Sequence, residues 1–160
     1  MTTDFNSLPD DARVWIYQAN RPFKEEELKQ LEPQLQAFLN QWTAHGKDLK
    51  AAYEIPYNRF IVIGLDQSQS QATGCSIDAS VHFIQSVEKA FDIDLMDKMN
   101  VTYKNGPYVA HKDLADFRKM AKAKSVSAKT IVFNNLVQTI GEYRTSWEVP
   151  ASESWHARFF

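Results

Sequence analysis

Cys75 is the only cysteine of the 160-residue chain, and it stands in the stretch Thr73-Gly74-Cys75-Ser76-Ile77-Asp78-Ala79-Ser80-Val81-His82-Phe83. A thiol with a histidine and an aspartate is the residue set of nucleophilic catalysis: the imidazole takes the thiol proton and the carboxylate orients the imidazole. On a helix opening here, Cys75, Asp78 and His82 lie at i, i+3 and i+7 and share one face. A helix amino terminus also favours a thiolate. Distance opposes a triad, because Cys75 and His82 stand about 10 Å apart along the axis at 1.5 Å per residue. Direct proton transfer needs hydrogen-bond reach. The same face runs on through Gln85 and Lys89, the pattern of a solvent-facing stripe. Asp78 reads more simply as a first-turn carboxylate, with Thr73, Cys75 or Ser76 as the cap.

A site built on Cys75 therefore needs partners from elsewhere in the chain. Asp66 ends a strongly apolar segment, and Gly74-Cys75-Ser76 opens the helix after the following loop. The end of a central strand beside a helix amino terminus is a common ligand position, with free amides available to an anion. The ligand-binding candidates are Asp66, Gly74 and Ser76, joined by His45 and by His156 and Arg158 if the fold brings them near; Cys75 is the catalytic candidate. A structural helix start is the competing reading. In the last residues, Trp155, Ala157 and Phe159 alternate with His156 and Arg158, as in a terminal strand with its apolar side inward. The four histidines, 45, 82, 111 and 156, lack the short spacings of zinc ligands, so no metal is expected, and no cofactor.

The bulk composition sets the frame. A hydrophobic fraction of 44% and a charged fraction of 24% suit a globular chain with its own core. A formal net charge of −2 gives no general attraction to nucleic acid or to anionic membranes, so neither is expected as a partner. One cysteine cannot close an intramolecular disulfide. The polar, acidic start lacks the basic-then-apolar order of a signal peptide, and no apolar run approaches bilayer length. A cytoplasmic location is the expectation.

The elements that must position these residues follow from periodicity. Val14 to Gln18 reads as a strand. Leu28, Leu31, Leu35, Phe38, Leu39 and Trp42 recur at helical spacing, with Pro33 predicting a kink or a division into two helices and His45-Gly46 a stop. Leu49 to Ile55 and Phe60 to Leu65 form a hairpin whose second arm, apolar on both faces, should be central and covered on both sides. The helix after Gly74 carries Ile77, Val81, Ile84, Val87 and Phe91 inward. Asn105-Gly106 marks a second hairpin. Asp113 caps a short helix with Leu114, Phe117 and Ala121 inward and Arg118, Lys119, Lys122 and Lys124 towards its end, where they suit the helix dipole, an RNA surface being the minor alternative. Lys129 to Val137 is a further strand, in which Asn134-Asn135 marks a bulge, a hairpin end or a polar contact.

The first six elements run strand, helix, strand, strand, helix, strand, the order of ferredoxin-like domains. The expected fold is thus α+β: a flexible lead over 1–12, a ferredoxin-like βαββαβ core over 13–104, and an extension over 105–160 integral to the same domain. That extension, with Phe133, Trp147, Trp155, Phe159 and Phe160, is the expected cover for the second face of the sheet.

Four strings, QWTAHGKDLKAAYEIPYNRFIVIGLD, GCSIDASVHFIQ, IVFNNLV and SWHARFF, resemble a family of small bacterial proteins of unknown function whose members often carry the label "ABC transporter ATPase". The resemblance covers about Arg13 to Phe160. The label implies ATP hydrolysis, but a P-loop needs G-x-x-x-x-G-K-[ST]. The only Gly-Lys pair, Gly46-Lys47, precedes Asp48 and has no glycine five residues upstream. In layout alone, residues 101 to 155 also resemble small GYF-like modules that bind proline-rich peptides. The functional expectation is a non-catalytic domain that binds a small anionic ligand or a protein partner, with a homodimer left open. The alternative is a small enzyme using Cys75.

Overall fold

Where Val14, Trp15, Ile16 and Tyr17 stand in a row, branched and aromatic side chains favour a pleated backbone, and the computed structural model, which describes residues 1–160, has its first strand there. The order is β1 (Arg13–Gln18), α1 (Glu25–Gln41), β2 (Thr43–Ala44), β3 (Lys47–Asp48), β4 (Lys50–Glu54), β5 (Phe60–Asp66) and α2 (Gly74–Phe91). Then come β6 (Asn100–Asn105), β7 (Tyr108–Asp113), α3 (Leu114–Lys122), β8 (Ile131–Phe133), α4 (Ile140–Ser146) and β9 (Glu148–Pro150). The fold is α+β with antiparallel sheets. It divides into two units, residues 1–96 with 139–141 and residues 97–138 with 142–160. No helix is long and apolar enough to cross a membrane.

In the first unit the sheet order is β1-β5-β4, with Ile63 of β5 opposite both Trp15 and Tyr53. β5 is buried along its whole length, as its two-faced apolar sequence requires. Ile61, Ile63 and Leu65 pack with Leu31, Leu35 and Leu39 of α1 and Ile84 and Val87 of α2. On α1 those leucines recur every four residues, one buried stripe of an otherwise polar helix. Pro33 lies inside this single helix, which is not divided there.

The opposite face of the sheet is covered differently from the expectation. A Cβ on Gly64 would collide with Leu8 Cδ1 and come within 3.1 Å of Ile140 Cδ1 and 3.5 Å of Phe5 Cε2. The cover is therefore the amino-terminal segment with residue 140, and the set-apart lead is part of the first unit. Phe5 and Leu8 are buried. Thr3 N donates to Ala51 O at 2.9 Å and Ala51 N donates to Met1 O at 3.0 Å, which adds an edge beside β4. On the far edge Arg13 bridges Thr139.

The ferredoxin-like sheet is not completed. Its fourth strand should be Asn100–Asn105, but β6 is held by its hairpin partner on one edge and by β8 on the other, in a second sheet of order β7-β6-β8-β9. The boundary between the units accordingly falls at 96/97 and not after 104. Asn105 pairs with Tyr108 around Gly106-Pro107, with Gly106 at φ 61°, a conformation glycine adopts without Cβ strain. Asp113 caps α3, its carboxylate accepting from Asp116 N at 2.7 Å. Phe117 is fully buried with Val101, Tyr103, Val126, Val132 and Ala151.

Of the carboxy-terminal aromatics, Trp155 and Phe159 pack against this second core. Phe133 meets Trp147 at 4.8 Å between ring centroids, and Phe117 meets Phe159 at 5.6 Å. β8 ends at Phe133, and Asn135 Oδ1 accepts from Trp147 Nε1 at 2.8 Å, so the asparagine pair ends a strand and makes a polar contact. Residues 155–159 form a 3-10 helix and not a strand. With three residues per turn, His156 and Phe159 share a side, and His156 is buried while Ala157 and Arg158 are exposed.

Candidate functional site

The amino terminus of α2 is built by Thr73 and Ser76. Thr73 Oγ1 accepts from Ser76 N at 3.2 Å, Ser76 Oγ accepts from Thr73 N at 2.6 Å, and the Ser76 hydroxyl also contacts Thr73 O at 3.0 Å. This reciprocal box answers two of the orphan amides at the helix start. The amides of Gly74 and Cys75 have no intrahelical acceptor. The inward face of α2 is Ser76, Ser80, Ile84 and Val87, so the helix is rotated from the stripe expected from Ile77 and Val81, which are only half-buried. Two small hydroxyls turn inward where the branched residues were expected. Each answers its own oxygen locally, as Ser80 Oγ does by donating to Ile77 O at 2.6 Å.

Facing this start is the end of α1. Trp42 Nε1 donates to Ser76 O at 2.8 Å in a buried bond. Trp42 also meets Trp15 edge-on at 5.8 Å and lies 5.7 Å from Phe38, which stacks on Phe83 at 4.8 Å. After Trp42 the chain makes the tight hairpin β2–β3. His45 and Gly46 both have positive φ, 53° and 76°, so this pair is a two-residue hairpin turn and not the end of α1. Gly46 thus closes a turn and Lys47 opens the short strand β3, with no following helix to receive a phosphate.

These segments enclose a cleft of about 740 Å³ lined by Phe38, Gln41, Trp42, Thr43, His45, Thr73, Gly74, Cys75, Ser76 and Ala79. Its floor is aromatic, its rim polar, and no lysine, arginine or carboxylate lines it. Four of the sequence candidates meet here: His45, Gly74, Cys75 and Ser76. Ser76 is buried and committed to the capping box, whereas Cys75 and His45 are exposed.

The other candidates lie elsewhere. Asp66 is buried at the end of β5 and is absent from the cleft lining. Its carboxylate accepts from Ser68 N at 3.0 Å, and Lys50 Nζ lies 3.8 Å away. The Ser68 hydrogen bonds, and secondarily the Lys50 charge, hold its pKa below the usual carboxylate value. Asp78 and His82 are exposed on the stripe with Gln85 and Lys89. His156 and Arg158 belong to the second unit and are engaged there. The buried His156 ring stacks on Trp155 at 3.8 Å, and its Nδ1 lies 2.6 Å from Ser154 Oγ. Burial, and then the Arg158 charge, depress the His156 pKa to about 4. The Arg158 guanidinium lies over Trp155 and Phe159.

Sequence reasoning did not assign Phe38, Gln41, Trp42, Thr43 or Ala79 to a site. Phe38 and Trp42 were visible only as members of the α1 apolar stripe. Their place in a cleft depends on where α1 ends against α2, which periodicity does not encode. No group of histidine, cysteine and carboxylate side chains is arranged to hold a metal ion. No family model matches the chain, and no curated protein or solved structure matches it.

Proposed function

We propose that this protein is a non-catalytic binding domain whose first unit takes a small ligand in the cleft between the end of α1 and the start of α2. The observation that carries this reading is the lining itself: Phe38, Trp42, the exposed His45 and Cys75, and Gly74 at the start of α2 border one concavity of about 740 Å³. That volume is within the range of small-molecule pockets, roughly 300–1,000 Å³. With no lysine, arginine or carboxylate at hand, the chemistry suits a flat or apolar body on the rings and a polar or anionic end at the helix start. A cytoplasmic setting fits the free thiol of Cys75. The resemblance to the bacterial family adds no activity to this reading, and P-loop ATP hydrolysis is no part of it.

The test is a fragment screen read by backbone amide shifts in the intact chain. Hits should move Thr43, His45, Gly74 and Cys75 together, and Trp42→Ala should abolish them. Hits that cluster away from these amides, or none from a library of planar acids, would reject the proposal.

A second reading, a thiol enzyme, is favoured by one observation: Cys75 and His45 border the same cleft. Iodoacetamide alkylation separates the two readings. Reaction at the rate of free cysteine at neutral pH, unchanged in His45→Gln, removes the enzyme.

A further inference from the structure

The formal charge of −2 conceals an asymmetry. Residues 1–96 with 139–141 carry eight Lys and Arg against fourteen Asp and Glu, a net of −6. Residues 97–138 with 142–160 carry ten against six, a net of +4. Of these ten cations Arg118, Lys119 and Lys122 stand on α3, and Arg158 stands on the 3-10 helix of residues 155–159. Arg118, Lys119 and Lys122 are exposed on α3, with Arg118 and Lys122 four residues apart on one side.

Arg118 Cζ lies 5.7 Å from the centroid of the Phe159 ring, and Arg158 Cζ lies 5.3 Å from the same centroid and 5.1 Å from that of Trp155. Two guanidiniums from different elements thus converge on one ring. Neither has an ion-pair partner, whereas Arg21, Lys50 and Lys104 each have a carboxylate. The helix dipole accounts for Lys119 and Lys122 in the last turn of α3. It does not account for Arg158, which is not on that helix. Beside these cations Trp155 and Phe159 are half-buried and Phe160 is 45% exposed. Cations interleaved with accessible rings form a surface on which phosphates are neutralised while unstacked bases lie on aromatic faces. Acidic peptides would use the cations but not the rings, and a duplex keeps its bases stacked away from them.

We propose that the face formed by Arg118, Lys119 and Lys122 of α3 with Arg158, Phe159 and Phe160 binds single-stranded nucleic acid. Recognition is of the phosphodiester backbone and is independent of sequence. Its salt dependence follows from the number of cations. Three or four phosphate contacts give a slope of log affinity against log salt of about −2 to −3, at roughly −0.7 per phosphate on a single strand.

Fluorescence anisotropy of a labelled oligonucleotide of about 12 bases, titrated with the full chain between about 50 and 200 mM salt, reads this directly. The expected result is binding with that slope. The double variant Arg118→Gln/Arg158→Gln should weaken binding at least tenfold and flatten the slope by about 1.4, from two lost contacts. Arg118→Lys/Arg158→Lys should keep the slope, and Lys47→Gln in the first unit should change nothing. Circular dichroism confirms that each variant is folded. Absence of binding at 50 mM salt overturns the proposal. Equal binding of polyglutamate, or of vesicles rich in phosphatidylserine, overturns it in favour of a general polyanion surface. An unchanged slope in the glutamine variant also overturns it.

Discussion

Trp42 Nε1 and the Ser76 carbonyl oxygen are 2.8 Å apart in a buried hydrogen bond that joins the end of α1 to the first turn of α2. Both residues line the candidate cleft. Trp42→Phe keeps most of the ring packing and deletes the donor. We expect a loss of about 1 kcal/mol in urea unfolding, with amide shifts in Gly74 and Cys75. Wild-type shifts there would show that the bond does not position the helix start. Thr73→Ala, which removes the cap oxygen, should cost a similar amount, about 1 kcal/mol.

Arg21 clasps α1 to the end of α2. Its guanidinium meets Glu27 at 2.8 and 3.0 Å and donates to Phe91 O at 2.7 Å, while Glu27 Oε1 also accepts from Lys24 N at 2.8 Å. The Arg21 hydrogen bond leads in lowering the Glu27 carboxyl to about 2. A depressed carboxylate contributes stability that is present above its unfolded value of about 4.5 and is lost as pH falls towards 2. Because Arg21 is about one-third exposed, Arg21→Ala should cost about 1–2 kcal/mol at neutral pH. Glu27→Gln should flatten the acid limb of the stability curve between pH 4.5 and 2, as read by urea unfolding at each pH. An unaltered limb would remove Glu27 from the account.

His156 gives the second unit its own pH dependence. The residue is about 1% exposed and its folded pKa is about 4, below an unfolded value of 6.5. The unfolded chain therefore binds a proton between pH 6.5 and 4 that the folded chain refuses. Stability rises with pH across that window and is constant, for this group, above it. The full contribution is on the order of 3 kcal/mol. His156→Phe should remove this group's slope between pH 4 and 6.5, measured by urea unfolding at each pH. Persistence of the slope would assign it to other groups.

Gly64 is where β5 accepts the amino-terminal segment. In Gly64→Ala the new Cβ meets Leu8 Cδ1 and Ile140 Cδ1, and we expect a loss of about 1–3 kcal/mol from overpacking. Leu8→Ala in the same chain gives the methyl room. The double variant should therefore lose less than the sum of the two single losses. Strict additivity would mean that the two positions do not touch.

Much of the scaffold was legible because the relevant physics is local. Leu31, Leu35 and Leu39 announced the buried stripe of α1, and the two-faced apolar run Phe60 to Leu65 announced a strand covered on both sides. Asp113 and Phe117 announced a capped helix and its inward ring. The exposed stripe Cys75, Asp78, His82, Gln85 and Lys89 followed from the same periodicity. Side-chain spacing is a property of neighbouring residues, so a sequence carries it directly.

Pairing between distant segments is different. Whether Asn100–Asn105 completes the first sheet or begins the second depends on competing edge partners, and β7 and β8 take both of its edges. Which segment covers β5 depended on the fit of Leu8 and Ile140 against a residue without a side chain, Gly64. The cleft that gathers Trp42, His45 and Cys75 exists because α1 ends where α2 begins in space, a relation between residues more than thirty positions apart in the chain. The sequence by itself determined the main strands and helices, the inward faces of α1 and α3, and the presence of one exposed thiol at a helix start. Only the tertiary structure decided which strands share a sheet and which side chains face Cys75, because those outcomes are set by long-range packing and hydrogen-bond competition.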